Sequence, residues 1–347
     1  VNIVKNEQQR RILAVDIGGG TQDILLYEGW KNPENFTKLI LPSPTVIAGN
    51  RIAQATSRGK ALYLSGTIMG GGKSTRGIKK HLESGLPVYA QKNAAQTIND
   101  DLDKVQAMGV VLVDEQPDLD CHHVEMKDLD LKSLRQALKL YDLELPTEVG
   151  VAVQDHGEAP PGVSNRLFRF KHWETFLKQG GALEKMVYTV PPSYMTRMLA
   201  VQQDVPQAVL MDTCSAAIWG ALLDAQVKQE LSRGVVVVNI GNQHTFAALI
   251  KEDRILGLFE HHTRLMGPEK LAHLVNKLRQ GKLTHEEVFH DGGHGCSIAE
   301  SIPAGFQFVS VTGPRRCLAS DLNYHLVNPF GDMMLTGCYG LVKAIKG

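Results

Sequence analysis

Two stretches decide how this chain is read: LAVDIGGGTQDILLYEG at residues 13–29 and VVVNIGNQHTFAALIKED at residues 236–253. Each is an apolar strand ending in one short polar residue, Asp16 or Asn239, followed by Ile-Gly, a tight turn and a second apolar strand. A unit that returns once, far along a 347-residue chain, points to two duplicated lobes rather than to a repeat array. The turn Gly18-Gly19-Gly20-Thr21 is more permissive than a hairpin requires, since a two-residue Asn-Gly or Asp-Gly turn is enough. Three glycines cost backbone entropy and expose a run of unobstructed N–H groups, a concave nest for an anion. Two such hairpins facing each other across a cleft would clamp a polyphosphate from both sides. Asp16 would then lie beside the phosphates and hold Mg²⁺ through water, because that ion keeps most of its hydration shell.

The rest of the chain supplies a matching frame. Val- and Ile-rich runs such as ALYLSG, VVLVDE and EVGVAVQD alternate with helical patterns near residues 45–57, 73–83, 94–107 and 128–141. Strands interleaved with helices predict an α/β architecture around a buried sheet. The loop EAPPGVSN and the TVPPS punctuation close the first half, which places the lobes at 1–193 and 194–330, with a C-terminal helix at 331–347 packing back on the first lobe. A composition of 43% hydrophobic and 21% charged residues excludes a disordered or collagen-like chain. Lys plus Arg (37) balance Asp plus Glu (37), so no overall field attracts nucleic acid or an anionic membrane. Five scattered cysteines without a C-x-x-C pair predict reduced thiols and a cytoplasmic location, and no apolar run is long enough to span a bilayer.

AVDIGGGTQD resembles the first phosphate motif of the actin, heat-shock chaperone and sugar kinase superfamily, and VVNIGNQHT its second. TCSAAIWGALL resembles its first interlobe connecting helix, FQFVSVTGPRR its adenosine motif and GDMMLTGCYGLVKAI its second connecting helix. All five occur in the superfamily's order across residues 12–345. The resemblance implies an actin-like ATPase (ribonuclease H-like) fold of two similar lobes, with ATP and Mg²⁺ in the cleft between them. It assigns Asp16 to catalysis and the metal; Gly18, Gly19, Gly20, Thr21, Asn239, Gly241 and Asn242 to the phosphates; and Thr312 and Gly313 to the adenosine. The chain departs from the pattern at Asn239, where the superfamily usually carries an aspartate. An amide can hydrogen-bond a water but cannot accept its proton, so binding can outlast hydrolysis. Asn242 and Gln243 also replace glycines. Within the superfamily the chain resembles a prokaryotic family labelled "putative pyruvate formate-lyase activating enzyme". A radical activase needs three closely spaced cysteines for its iron–sulfur cluster, yet no two here are closer than 21 residues.

Other segments offer chemistry without a motif. In SGTIMGGGKST the spacing from Gly66 to Gly72-Lys73-Ser74 is one residue too long for a phosphate-binding P-loop. A glycine-rich turn entering a helix still favours an anion, so Lys73 and Ser74 are candidate substrate ligands, with a purely structural turn the alternative. Gln154, Asp155 and His156 follow the strand VGVAV at its carboxyl end, where open α/β sheets bind ligands; Asp155 is a candidate general base or, equally, a helix cap. LFEHHT brings Glu260, His261 and His262, and FHDGGHG brings Asp291 and His294, as substrate or catalytic groups and less readily as metal ligands. CHHVEMKD at 121–128 reads as a solvated loop. Three functions remain: phosphoryl transfer from Mg-ATP to water or a small molecule, a nucleotide-gated switch acting on a partner enzyme, and a metal-dependent hydrolase built on the histidine loops. A homo-oligomer is compatible with each.

Overall fold

The computed structural model describes residues 9–160 and 162–347. One six-stranded sheet runs, edge to edge, Thr37–Pro42, Thr21–Glu28, Arg11–Ile17, Glu148–Val153, Val209–Met211 and Val187–Tyr188. A second runs Gly295–Ile298, Arg254–His262, His244–Lys251, Val235–Ile240, Phe308–Thr312 and His325–Leu326. Five strands of each share one layout: an antiparallel three-stranded meander, then two parallel strands laid beside its first member. The central strands are covered on both faces, which is why they read as unbroken apolar runs; Ile12, Leu13, Ala14 and Val15 are wholly buried.

Between strands Thr37–Pro42 and Glu148–Val153 the chain builds an inserted layer. Its four parallel strands, Val110–Leu112, Val88–Ala90, Ala61–Gly66 and Cys121–Met126, carry their own apolar core around Ile52, Leu64 and Val105. Residues 121–126 are therefore an edge strand and not the expected solvated loop. Only Val124 and Met126 point inward there, so the apolar signal is two residues long.

The cores also redraw the expected boundary at residue 193. Helix Thr196–Asp204 and strand Val209–Met211 belong to the first lobe, where Met198, Val201 and Leu210 join Leu13 and Val151. Helix Asn165–Lys178, which precedes them in sequence, packs into the second lobe through Phe170, Trp173 and Leu177 against Val235 and Phe246. The chain thus crosses between lobes more than once, and apolar patterning alone does not reveal which core a helix joins.

Beneath the cleft the connecting helix Thr213–Ala221 crosses the C-terminal helix Thr336–Lys346, which also lies against the strand Arg11–Ile17. The crossing is backbone to backbone. A Cβ on Gly220 would run into the Thr336 carbonyl, one on Gly340 into the Ala216 carbonyl, and one on Gly337 into the Asp16 carboxylate. Neither carbonyl can retreat without breaking a helix turn. Gly340→Val is expected to cost more than about 4 kcal/mol and to give aggregated or molten protein by circular dichroism and thermal melting. Gly267→Ala, where a Cβ meets nothing within 4 Å and only the N-cap preference of helix Pro268–Arg279 is lost, serves as the comparison and should cost no more than about 1 kcal/mol.

Candidate functional site

A cavity of about 320 Å³ lies between the lobes, lined by both glycine turns, by residues 68–72 of the insertion and by both connecting helices. Asp16 stands one residue before the end of the strand Arg11–Ile17 there, in cross-strand register with Asp23. Its Oδ1 is buried and meets no hydrogen-bond partner. Burial raises the Asp16 pKa well above the ordinary carboxylate range, and repulsion from Asp23 and Asp212 raises it further. Asp23 is pushed up to about 7, again chiefly by burial, with a Thr21 hydrogen bond opposing and Asp332 adding repulsion. Like charges opposite each other on neighbouring strands are unfavourable; packing alone does not call for them.

The two turns have one geometry. Gly18 N–H donates to the Thr21 carbonyl at 2.9 Å, and Gly241 N–H donates to the His244 carbonyl at 2.9 Å. They also face each other: a Cβ on Gly19 would strike the Gln243 side chain, and one on Gly20 would come within 2.5 Å of Asn242 Nδ2. The glycines of one turn are therefore filled by the amide side chains of the other. Gly313, with φ +99°, holds its backbone where a Cβ would fall 2.6 Å from Asn239 Oδ1. Thr312, beside it, donates its hydroxyl to Thr336 Oγ1 at 3.1 Å, joining the adenosine-motif strand to the C-terminal helix.

At the back of the cleft the structure gathers some predicted residues and parts others. Along Arg254–His262 the strand pleat sends Glu260 into the cleft and turns His261 away. His261 Nε2 pairs with Asp291 Oδ2 at 2.9 Å, and Asp291 also accepts from Lys270 at 2.7 Å, so neither faces the cavity. His262 stays near, its ring 5.0 Å from His244 and 4.7 Å from His294. His294 Nε2 stands 3.1 Å from His156 Nε2. Lys73 points to Asn50 Oδ1 at 2.7 Å, and the buried Ser74 hydroxyl donates to the Gly71 carbonyl at 2.6 Å; neither side chain lines the cavity. Asp155 accepts from Gly157 N–H at 2.8 Å and from Met198 N–H at 2.9 Å, which makes it a brace and a cap for the helix Thr196–Asp204.

His244, Arg169 and Asp212 are the members of this cluster that sequence reading did not find. His244 occupies in the second hairpin the place of Thr21 in the first, a comparison the aligned repeats allow. Arg169 and Asp212 give no signal: one lies mid-helix, the other caps the connecting helix by accepting from Cys214 N–H. Burial would raise the Glu260 pKa, but the Arg169 guanidinium and the neighbouring histidines hold it at about 2. Burial lowers His156 well below the ordinary imidazole range, lowers His244, and takes His294 to about 3 and His262 to about 4. The cluster at neutral pH is thus one carboxylate among neutral imidazoles.

Two lobes of one ribonuclease H-like layout, closing facing glycine turns over crossed helices, define a protein of the actin-like ATPase fold. The chain belongs to the family described as "Putative pyruvate format-lyase activating enzyme (DUF1786)", whose model matches residues 69–318. No curated protein matches the sequence. Similar solved structures include a Bacteroides thetaiotaomicron protein with actin-like ATPase fold and unknown function (8% identity, TM-score 0.40, 98% of each chain covered). Others are the ethanolamine utilization protein EutJ from Carboxydothermus hydrogenoformans (12% identity, TM-score 0.34, 97% of this chain and 90% of that one) and the activator of the 2-hydroxyisocaproyl-CoA dehydratase from Clostridium difficile with bound ADPNP (9% identity, TM-score 0.33, 96% and 93%). Among the described residues no helix is long and apolar enough to cross a membrane.

The raised carboxylates make a signed prediction. Folded Asp23 holds its proton up to about pH 7, whereas the unfolded chain releases it near the ordinary aspartate value of 3.8. The folded state binds more protons in that window, so metal-free stability falls as pH rises through it. Asp23→Asn removes this penalty. The melting temperature of the variant should match wild type near pH 4 and exceed it by roughly 2–6 °C at pH 7.5, without added divalent cation. A constant offset across the range would dismiss the linkage.

Proposed function

We propose that the protein binds Mg-ATP in the cleft between its lobes and transfers the γ-phosphoryl group to water or to a small-molecule acceptor. The observation that carries this reading is Asp16, a half-buried carboxylate whose Oδ1 is buried without a hydrogen-bond partner at the point where the two turns meet. The charges acting on it, Asp23 and Asp212, are both negative, so its own environment leaves it short of a cation. Hard carboxylate oxygens suit Mg²⁺, and Asp16 would hold it directly or through water, with Asp23 beside it. That ion would supply charge neutralisation across the phosphates. Backbone N–H groups of Gly19 and Gly20 would hold the phosphate from the first lobe and that of Asn242 from the second, while the Gly18 and Gly241 N–H groups close their own turns. Gly313, whose missing side chain lets the backbone approach Asn239, would lie at the nucleoside.

Asn239 gives a second reading its footing. An amide orients a water but takes no proton from it, and Asp155, the expected base, has both oxygens engaged by backbone N–H groups. A site weak in general bases favours a nucleotide-gated switch that closes on a partner enzyme and turns over slowly.

Calorimetric titration with ATP, with and without Mg²⁺, tests the shared premise. Wild type is expected to bind in a Mg²⁺-dependent manner, and Asp16→Asn to lose at least about 30-fold, or ~2 kcal/mol. Absence of binding by wild type ends both readings. Where binding is seen, multiple turnover accelerated by an added hydroxyl or carboxyl acceptor selects the kinase, whereas tight binding with turnover below about 0.01 s⁻¹ selects the switch.

A further inference from the structure

We propose that His156, His244, His294 and Glu260 form a second metal centre, for a divalent first-row transition ion such as Zn²⁺, that clasps the two lobes together at the back of the cleft. One ligating atom from each of the four lies within 4.8 Å of all the others. Tetrahedral zinc with bonds of about 2.0–2.2 Å places neighbouring ligand atoms roughly 3.3–3.6 Å apart, so this cluster needs only small side-chain adjustments. His156 and His294 already aim their Nε2 atoms at each other at 3.1 Å, with stacked rings, and His244 meets the His294 ring edge-on at 4.8 Å between centroids.

The surroundings hold the ligands in place. Glu260 accepts from Gln154 Nε2 on one oxygen and from Arg169 Nε on the other, the kind of outer support that fixes a ligating carboxylate. Arg169 is itself matched by Asp212 at 2.8 Å, so the carboxylate–guanidinium group carries one net negative charge toward the imidazoles. Donor chemistry separates this centre from Asp16. Three imidazoles and one carboxylate select Zn²⁺ and its transition-metal neighbours, whereas Mg²⁺ prefers oxygen alone.

The placement of the ligands determines what the ion does. His156 extends from the first-lobe strand Glu148–Val153, while His244, Glu260 and His294 belong to the second lobe. Four protein ligands fill a tetrahedron and leave no open position, which is the signature of a structural site. Binding of the ion therefore favours the closed arrangement of the lobes. The inference stands on this cluster and does not require that nucleotide bind.

The test uses the full chain, stripped by a chelator and titrated with Co²⁺ and then Zn²⁺ in the absence of nucleotide. Wild type is expected to take up one ion per chain, to show the intense visible absorption of four-coordinate Co²⁺, and to melt at higher temperature with Zn²⁺. His156→Gln and His294→Ala should each weaken binding by about 10–100-fold, and His156→Gln should also lose the thermal shift. His123→Ala, in the inserted sheet, should match wild type. Should a variant fail to fold, chemical modification of wild type decides: Zn²⁺ should protect His156, His244 and His294 from acylation and leave His123 reactive. Binding well below one ion per chain, a six-coordinate spectrum, or unchanged binding by His156→Gln would overturn the centre.

Discussion

The buried guanidinium of Arg169 holds the back of the cleft together. It donates to Glu260 at 2.6 Å, to Asp212 at 2.8 Å and to the Asp155 carbonyl at 2.7 Å, and all three charged side chains are buried. Removing three charges from water is costly, and such an arrangement is held only when each partner is present; deleting one commonly costs about 3–5 kcal/mol. Asp212 begins the connecting helix, Glu260 lies on the second-lobe sheet, and Arg169 comes from a helix packed into that lobe. A single cation thus ties the first-lobe sheet, the connecting helix and the second-lobe sheet. A parallel pair, Arg197 with Asp128 at 2.6 Å, joins the inserted layer to the Gln154 carbonyl, so the strand end that carries Asp155 and His156 is fixed from two sides.

The two lobes share a frame and differ in their chemistry. The two hairpins share a turn hydrogen bond and a register, yet Asp16 opposite Asp23 in the first corresponds to Asn239 opposite Phe246 in the second. One hairpin carries two carboxylates that repel each other; the other carries neither. Where the first turn is glycine, the second carries Asn242 and Gln243, whose side chains fit the space that the glycines leave. The pair is a contact between unequal halves, amide side chains of one turn against glycines of the other.

The parts legible in the sequence were those written in local pattern. The repeated hairpin, the glycine turn, the connecting helices and the α/β alternation all appear as short runs whose period or composition carries the meaning. The helix expected over 94–107 breaks into Lys92–Gln96 and Leu102–Ala107, because Asp101 caps the second piece by accepting from Asp103 and Lys104 N–H. Long-range placement was not legible. Nothing local says that helix Asn165–Lys178 leaves its lobe, or that His261 and Glu260, adjacent in sequence, point to opposite sides of a strand until the strand's buried faces are known. The same pleat that separates those two brings Glu260 to His244 and His294, residues from three segments with no shared spacing.

The cleft therefore holds two unlike demands for positive charge, one made by carboxylate oxygens on the first hairpin and one by imidazole nitrogens around the second. They are mechanically joined, because His244 directly follows Gln243, the residue that covers Gly19. Moving the second turn to admit a phosphate also moves His244 relative to His156, and fixing His244 on His156 constrains how far the turn can open. Two ligands acting on one rigid hairpin are necessarily coupled, and by linkage the effect of each on the other's affinity is equal. The sign follows from the geometry: an occupant that needs the lobes closed helps the other, and one that must wedge Gln243 off Gly19 opposes it. The unequal hairpin pair is what converts a symmetric fold into a cleft that can be set in either state.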